Sequence, residues 1–194
     1  AVTYFTISGT TITIAASTPV GAYTVVVKAT DSNSSKTKEA TMTITVQYPK
    51  LTLNGNGGTV TTAAVYPKYG TASEYTAATG STAATIKATR TGYTLNGWYT
   101  ATSGGSKVLD ASGNGTGTAV ANFTNASKNW VMTANQTLYA QWTANELTFS
   151  AQSKSSFYNT SAKTVAITGA SNGTGTYTYS ISSQKNSAGT AVSY

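Results

Sequence analysis

The chain has 194 residues, of which 39% are apolar and only 9% are charged, and its net charge is +7. The length suits one large domain or two small ones, and the charged fraction is far below the roughly 25% of an average soluble domain. The sequence contains no cysteine and no histidine, so it has no disulfides, and it lacks the commonest general base and the commonest metal ligand. We therefore expect no enzyme, no catalytic residues, no cofactor and no metal site.

The twelve basic residues are spread along the chain, and the five acidic ones are equally scattered. A nucleic-acid surface would concentrate lysine and arginine on one element, so we expect no nucleic-acid partner. The scattered lysines predict a solvated basic surface without a specific role. The alternative is that this surface contacts an anionic cell wall or polysaccharide. No apolar run is long enough to span a membrane and no signal peptide is present. We expect no membrane insertion and an internal piece of a longer protein.

The first segment, residues 1–48, has the pattern of β-strands. Phe5 and Ile7 alternate with polar residues, and the same period of two continues through "GAYTVVVKATDS" (21–32) and "KEATMTITV" (38–46). Such alternation predicts one buried and one solvated face, typical of an antiparallel sandwich sheet. The segment holds only about four strands, which is half a sandwich.

The middle segment, residues 49–145, contains three short motifs, two of which carry large aromatic side chains. These are "LTLNGNGGTV" (51–60), "RTGYTLNGWYTATSGGSKV" (90–108) and "TLYAQW" (137–142). An Ala/Thr-rich stretch between the first two, 71–89, predicts a short helix starting near Ser73. A small module needs a few large anchors, so we expect a buried aromatic cluster, with a sugar-stacking platform as the alternative. The residues of this cluster are Tyr93, Trp98, Tyr99, Tyr139 and Trp142.

Trp130 lies apart from these motifs, in a polar stretch after "NASKN". As an isolated aromatic in a polar loop, it is the candidate that we select for a surface binding contact. Two glycine-rich stretches, 55–58 and 113–117, lack the Lys-Ser/Thr of a phosphate loop and are interpreted as turns. The loop "TDSNSS" (30–35) contains Asp31 but no second carboxylate, so it is a poor candidate for a calcium site. Asp and Asn are ordinary residues of hairpin turns, and we interpret the loop as such a turn.

The last segment, residues 146–194, returns to strand-like alternation. Leu147 and Phe149 share one face of the first predicted strand, and Tyr177, Tyr179 and Ile181 share one face of the last. This segment also has too few strands to enclose a core.

The two ends of the chain repeat almost the same letters, "AVTY" from Ala1 and "AVSY" from Ala191. Residues 146–194 followed by 5–48 would supply about seven strands, the number in an immunoglobulin-like sandwich. We therefore expect one period of a tandem domain array, divided within a domain. The strands of "GAYTVVVKATDSNSSKTKEATMTITV" resemble the last strands of bacterial immunoglobulin-like or cadherin-like surface repeats.

The middle segment resembles the Listeria–Bacteroides repeat, the internalin B-repeat family, in the order and spacing of its motifs. The resemblance implies a small, mostly β, β-grasp-like module of bacterial surface proteins. This chain departs from the pattern by a long inserted stretch, 110–136, before the last motif. The matching residues are Asn56, Gly57, Gly58, Thr91, Gly92, Tyr93, Gly97, Trp98, Tyr99, Gly104, Gly105, Leu138, Tyr139, Ala140 and Trp142.

Together these observations predict an all-β chain with three parts. Residues 1–48 would be the C-terminal part of one immunoglobulin-like sandwich, 49–145 a β-grasp-like B-repeat module, and 146–194 the N-terminal part of the next sandwich. The expected function is a non-enzymatic stalk or spacer of a large adhesin or fibre on a bacterial, Gram-positive-type cell surface. Its partners would be neighbouring copies joined head to tail. The alternative is a module that binds host or cell-wall glycans through exposed aromatics.

Overall fold

A computed structural model describes residues 3–16, 18–72, 75–76, 85–156, 161–185 and 188–191. These residues contain β-strands and no helix, which confirms the predicted all-β fold. The helix predicted to start near Ser73 lies largely outside the described residues, because residues 73–74 and 77–84 are not among them. The strands are β1 (Phe5–Ser8), β2 (Thr11–Ile14), β3 (Gly21–Thr30), β4 (Thr37–Val46), β5 (Leu51–Asn54), β6 (Thr59–Val60), β7 (Ala64–Pro67), β8 (Tyr75–Thr76), β9 (Ala88–Thr89), β10 (Tyr93–Tyr99), β11 (Lys107–Leu109) and β12 (Gln136–Ala144).

The first segment forms two antiparallel hairpins. In the first, β1 pairs with β2 from Phe5 opposite Ile14 through Ser8 opposite Thr11. In the second, β3 and β4 pair along their whole length, with Gly21 opposite Val46. Both strands are rich in valine and threonine, whose β-branched side chains suit an extended backbone. The expected alternation is present on β3, although its apolar face is only half-buried.

Six strands of the middle segment form one sheet in the order β11-β10-β12-β5-β7-β8, and β6 pairs separately with β9. In the antiparallel pair β10–β12, Trp98 lies opposite Ala140 and Leu95 opposite Trp142. The register shifts between Leu95 and Gly97, a β-bulge that bends the strand and redirects its side chains.

The chain divides into two compact units, each with its own buried residues. The first unit comprises Ala1–Thr52, Ala64–Ala84 and Gly117–Thr137, and the second comprises Leu53–Ala63, Thr85–Thr116 and Leu138–Tyr194. In the first unit the buried apolar side chains are Leu51, Val65, Pro67, Val120, Phe123, Trp130 and Met132. In the second they are Leu53, Ile86, Trp98, Val108, Leu109, Leu138 and Ala140.

The last segment forms no strand ladder among its described residues. Two isolated antiparallel bridges are present, Thr148 with Ser171 and Lys185 with Ala191. The strands predicted around Phe149 and Tyr179 are therefore not formed as named strands. Sheet pairing is stabilised by burial of one face, and here the side chains of the predicted inner face remain exposed, with Leu147 at 61% and Ile181 at 75%.

The inserted stretch before β12 contains a buried hydroxyl group with no hydrogen-bond partner among the described residues. Thr124 is 3% exposed, and its Oγ1 is unpaired. Its backbone is held by antiparallel bridges to Val120 and Trp130. A buried polar group without a partner costs about 1–3 kcal/mol. The Thr124 hydroxyl thus lowers the free energy of unfolding, whereas the backbone bridges of the same residue raise it.

We therefore predict that Thr124→Val stabilises the protein by about 1 kcal/mol, because valine keeps the β-branched shape and removes the unpaired hydroxyl. Chemical denaturation of both proteins measures the difference. Thr118→Val, at an exposed position of the same stretch, is the matched control and should change little. A loss of stability in Thr124→Val would show that the hydroxyl is paired in solution.

Candidate functional site

The three motifs of the middle segment meet within the second unit. Asn56 Nδ2 donates hydrogen bonds to the carbonyl oxygens of Thr102, at 2.8 Å, and Ala140, at 2.9 Å. Gln141 Nε2 donates to the Gly104 carbonyl at 2.7 Å. Polar side chains of the first and last motifs thus fix the glycine-containing loop that follows β10. Residues more than 80 positions apart are joined because these side chains satisfy backbone groups that no strand pairs.

Trp142 connects the last motif to the first glycine-rich turn. Its Nε1 donates to the Gly55 carbonyl at 3.0 Å. Its ring lies directly against Gly58, where an added Cβ would collide with the indole. The first glycine-rich stretch is a turn, as expected, because the Gly58 N–H bonds to the Gly55 carbonyl. In the second stretch the turn ends at Gly113, whose N–H bonds to the Asp110 carbonyl, and Gly115 forms an antiparallel bridge with Leu109.

The aromatic residues of the motifs do not form a single buried cluster. Trp98 is fully buried, whereas Tyr93, Tyr99, Tyr139 and Trp142 are all partly exposed. Successive residues of a strand point to opposite faces. Tyr99 and Tyr139, which lie opposite each other on β10 and β12, therefore face away from the side that buries Trp98 and Ala140. The prediction of one shared cluster is wrong in this respect, because the sheet divides the motif aromatics between its two faces.

Trp130 was expected at the surface, and this expectation is wrong. Its side chain is 0% exposed. Its backbone N–H donates to the Thr71 carbonyl and its carbonyl accepts from the Gly70 N–H, both at 2.9 Å. These bonds fix the inserted stretch inward in the first unit, where Phe123 and Met132 are also buried. The nearby apolar residues in the sequence were the signal that this stretch contributes to a core.

The Asp31 loop is closed by its own residues. Oδ1 accepts hydrogen bonds from the N–H groups of Asn33, at 2.8 Å, and Ser34, at 3.4 Å, and Oδ2 accepts from Ser34 Oγ at 2.8 Å. The N–H of Asn33 and then the Ser34 donors stabilise the charged carboxylate, so the pKa of Asp31 lies below its ordinary 3.8. No group of three or more potential metal ligands occurs among the described residues.

A polar groove of about 580 Å³ opens in the second unit beside Arg90, the only arginine of the chain. The wall on one side is the turn that enters β6, and on the other the turn that enters β10. Thr59 and Thr89 lie opposite each other on the β6–β9 pair that joins these walls. The lining residues are Gly57, Gly58, Thr59, Thr89, Arg90, Thr91, Tyr93 and Thr174.

The Arg90 guanidinium group is held between two neighbours. Its Cζ lies 3.8 Å from the centre of the Tyr93 ring, a distance at which the cation is attracted to the ring face. On another side lies Gly57, where an added Cβ would be 3.3 Å from Cζ. The guanidinium is thus positioned by packing, and no carboxylate of the described residues forms an ion pair with it.

The fourth side of the groove comes from the last segment. The turn that contains Gly173 and Thr174 approaches Gly92 so closely that a Cβ there would collide with the Gly173 carbonyl. The Gly92 carbonyl also accepts a hydrogen bond from Asn145 N–H at 2.8 Å. These contacts hold residues 92, 145 and 173 together within the second unit. Glycine at position 92 is therefore required by the close approach of two backbone segments.

Exposed apolar side chains are concentrated in the first and last segments. In the first, an open groove of about 200 Å³ lies along β1 and β3 and is lined by Phe5, Ile7, Ile12 and Val25–Lys28. Half of a sandwich would present such a surface to its missing second sheet. Among the described residues, the exposed large apolar side chains outside 49–145 are Ile7, Ile14, Val20, Val26, Met42, Leu147, Phe149, Val165, Ile167, Tyr179 and Ile181.

The described residues contain no helix with the length and apolarity needed to cross a membrane. Comparison of the chain with models of known protein families, with curated proteins and with solved structures finds no match. The assignment of a function therefore depends on the geometry of the chain itself.

We predict that Asp31 titrates below pH 3.8, because the loop N–H groups bind only its charged form. A depressed pKa contributes stability that is present above the unfolded-state value and is lost as the pH falls through the folded-state value. NMR titration of the Asp31 carboxyl carbon and the Asn33 amide checks this. In Asp31→Asn the Asn33 amide should no longer titrate. A midpoint at or above 3.8 would contradict the loop geometry.

Proposed function

We propose that this chain is a non-enzymatic structural repeat of a large bacterial cell-surface adhesin or fibre. In this role it acts as a stalk or spacer outside the cell. The middle segment is a B-repeat-like module, and the flanking segments are parts of immunoglobulin-like sandwiches that neighbouring copies complete.

One observation carries the proposal. Among the described residues, every buried side chain lies between Leu51 and Ala140. The described residues of the segments before and after include no buried one, although the sequences of these segments alternate as regularly as those of sandwich strands. Exposed apolar faces of this extent mark surfaces that other protein covers. The middle segment is thus supplied with its own buried residues, and the flanking segments require a partner.

The long β3–β4 hairpin is the element of the first segment best suited to complementation. Its ten residue pairs form a continuous ladder, while Val26 on β3 and Met42 on β4 remain 55% and 41% exposed. A second sheet packed on this face would complete the sandwich. The last segment offers the matching apolar residues, with Phe149 in contact with Tyr179 at a ring distance of 5.7 Å.

An enzyme is disfavoured by the residues available. The sequence has no histidine or cysteine, and its five acidic residues are far apart in the chain. The alternative function, glycan binding through exposed aromatics, is weakened because its main candidate residue, Trp130, is buried. A head-to-tail contact between copies is heterologous and does not close on itself, so it extends into a fibre, as a stalk requires.

The experiment compares one copy of the chain with two copies joined so that Tyr194 of the first is followed directly by Phe5 of the second, because Ala191–Tyr194 nearly repeats Ala1–Tyr4. The junction places one copy's last segment next to the following copy's first segment. Amide hydrogen exchange, followed by mass spectrometry, reports the result. We expect β3 and β4 of the second copy to become at least about tenfold more protected than in the single chain, because a completed sandwich buries their apolar face.

Ile181→Asp in the first copy should abolish this gain, because it puts a charge on the buried face. Ser180→Asp, the neighbouring residue on the opposite face of the predicted strand, is the matched control and should preserve it. Equal protection of β3 and β4 in the single and joined proteins would contradict the proposal.

A further inference from the structure

We propose that the groove beside Arg90 binds the carboxylate of an acidic saccharide, such as a uronic-acid unit of a surface polysaccharide. This inference goes beyond the stalk function, which requires no ligand. It depends on the position of Arg90, on the polar residues around it and on the fact that no carboxylate of the described residues pairs with the guanidinium.

The guanidinium is prepared for a planar anion. Packing between the Tyr93 ring and Gly57 fixes its orientation, so little side-chain entropy remains to be lost on binding. The five N–H donors of arginine lie in its plane and match the two oxygens of a carboxylate. No carboxylate of the described residues takes this place. In a chain with a net charge of +7, an external anion is the suitable partner.

The rest of the groove favours a hydroxylated ligand. Four threonines line it, Thr59, Thr89, Thr91 and Thr174, and all four are exposed. Their hydroxyls both donate and accept hydrogen bonds, which suits the hydroxyl groups of a sugar.

A neutral sugar is a poorer fit for a specific reason. Neutral sugars are commonly held by stacking on an aromatic face, and the guanidinium already covers a face of Tyr93 at 3.8 Å. The dominant attraction in the groove is therefore the positive charge.

The test is an NMR titration of the full chain with a glucuronate-containing oligosaccharide. A second arm uses the same oligosaccharide with its carboxylates reduced to alcohols, and a third uses a short peptide with a free C-terminal carboxylate. We expect the acidic oligosaccharide to shift the amide signals of Gly57, Gly58 and Thr89 to Tyr93. The reduced form should not bind, and the peptide should bind more weakly.

Arg90→Gln should weaken binding about ten- to hundredfold, the effect of losing a charge-assisted bidentate contact. Arg90→Lys keeps the charge but not the fork, and it should weaken binding less. Lys87→Gln removes the same charge from an exposed residue outside the groove and should leave affinity within about twofold. A thermal melt of each variant shows that it is folded.

Four results would overturn the proposal. The first is no binding of the acidic oligosaccharide up to about 10 mM, which is weaker than specific recognition requires. The second is equal binding of the reduced form, and the third is equal weakening by Arg90→Gln and Lys87→Gln, which would indicate general basicity. Tighter binding of the peptide would assign the groove to a protein partner and would equally reject a saccharide.

Discussion

The antiparallel pairing of β10 with β12 is the interaction on which the middle segment depends. It places Trp98 opposite Ala140, and both are completely buried. It also sets the positions of the residues at its ends. Trp142, near the end of β12, bonds to the first glycine-rich turn, and Arg90 lies just before β10 against the same turn. The groove beside Arg90 therefore exists because this one strand pair fixes both of its walls.

The contrast between the middle and flanking segments has a simple physical origin. A sheet gains most of its stability when one face is covered by apolar groups. In the middle segment strands and loops cover each other, and even the polar inserted stretch contributes Phe123 and Trp130 to burial. In the last segment, Ile167 and Ile181 have the sequence pattern of a strand face but remain exposed. The same alternation of apolar and polar residues thus gives paired strands where one face is covered, and it gives no strand ladder in the described part of the last segment.

The sequence was sufficient for the features that are determined locally. Period-two alternation predicted the strands of the β3–β4 hairpin, and the glycine-rich stretch 55–58 was correctly interpreted as a turn. It failed where tertiary contacts decide. Trp130 follows a polar stretch, so its burial depends on bonds to Gly70 and Thr71, which are some 60 residues away. The Arg90 groove could not be predicted either, because its lining combines residues near positions 57, 90 and 174.

The central claim is that only the middle segment supplies its own buried residues, and native-state amide exchange of the single chain tests it most directly. Slow exchange requires hydrogen bonds that open only with the buried structure around them. The account predicts that the slowest amides lie in β5, β10 and β12, and that the exposed stretches 149–156 and 174–181 exchange far faster than these strands. Protection in these two stretches comparable to that of Trp98 and Leu138 would contradict it, because the last segment would then be stable without a partner.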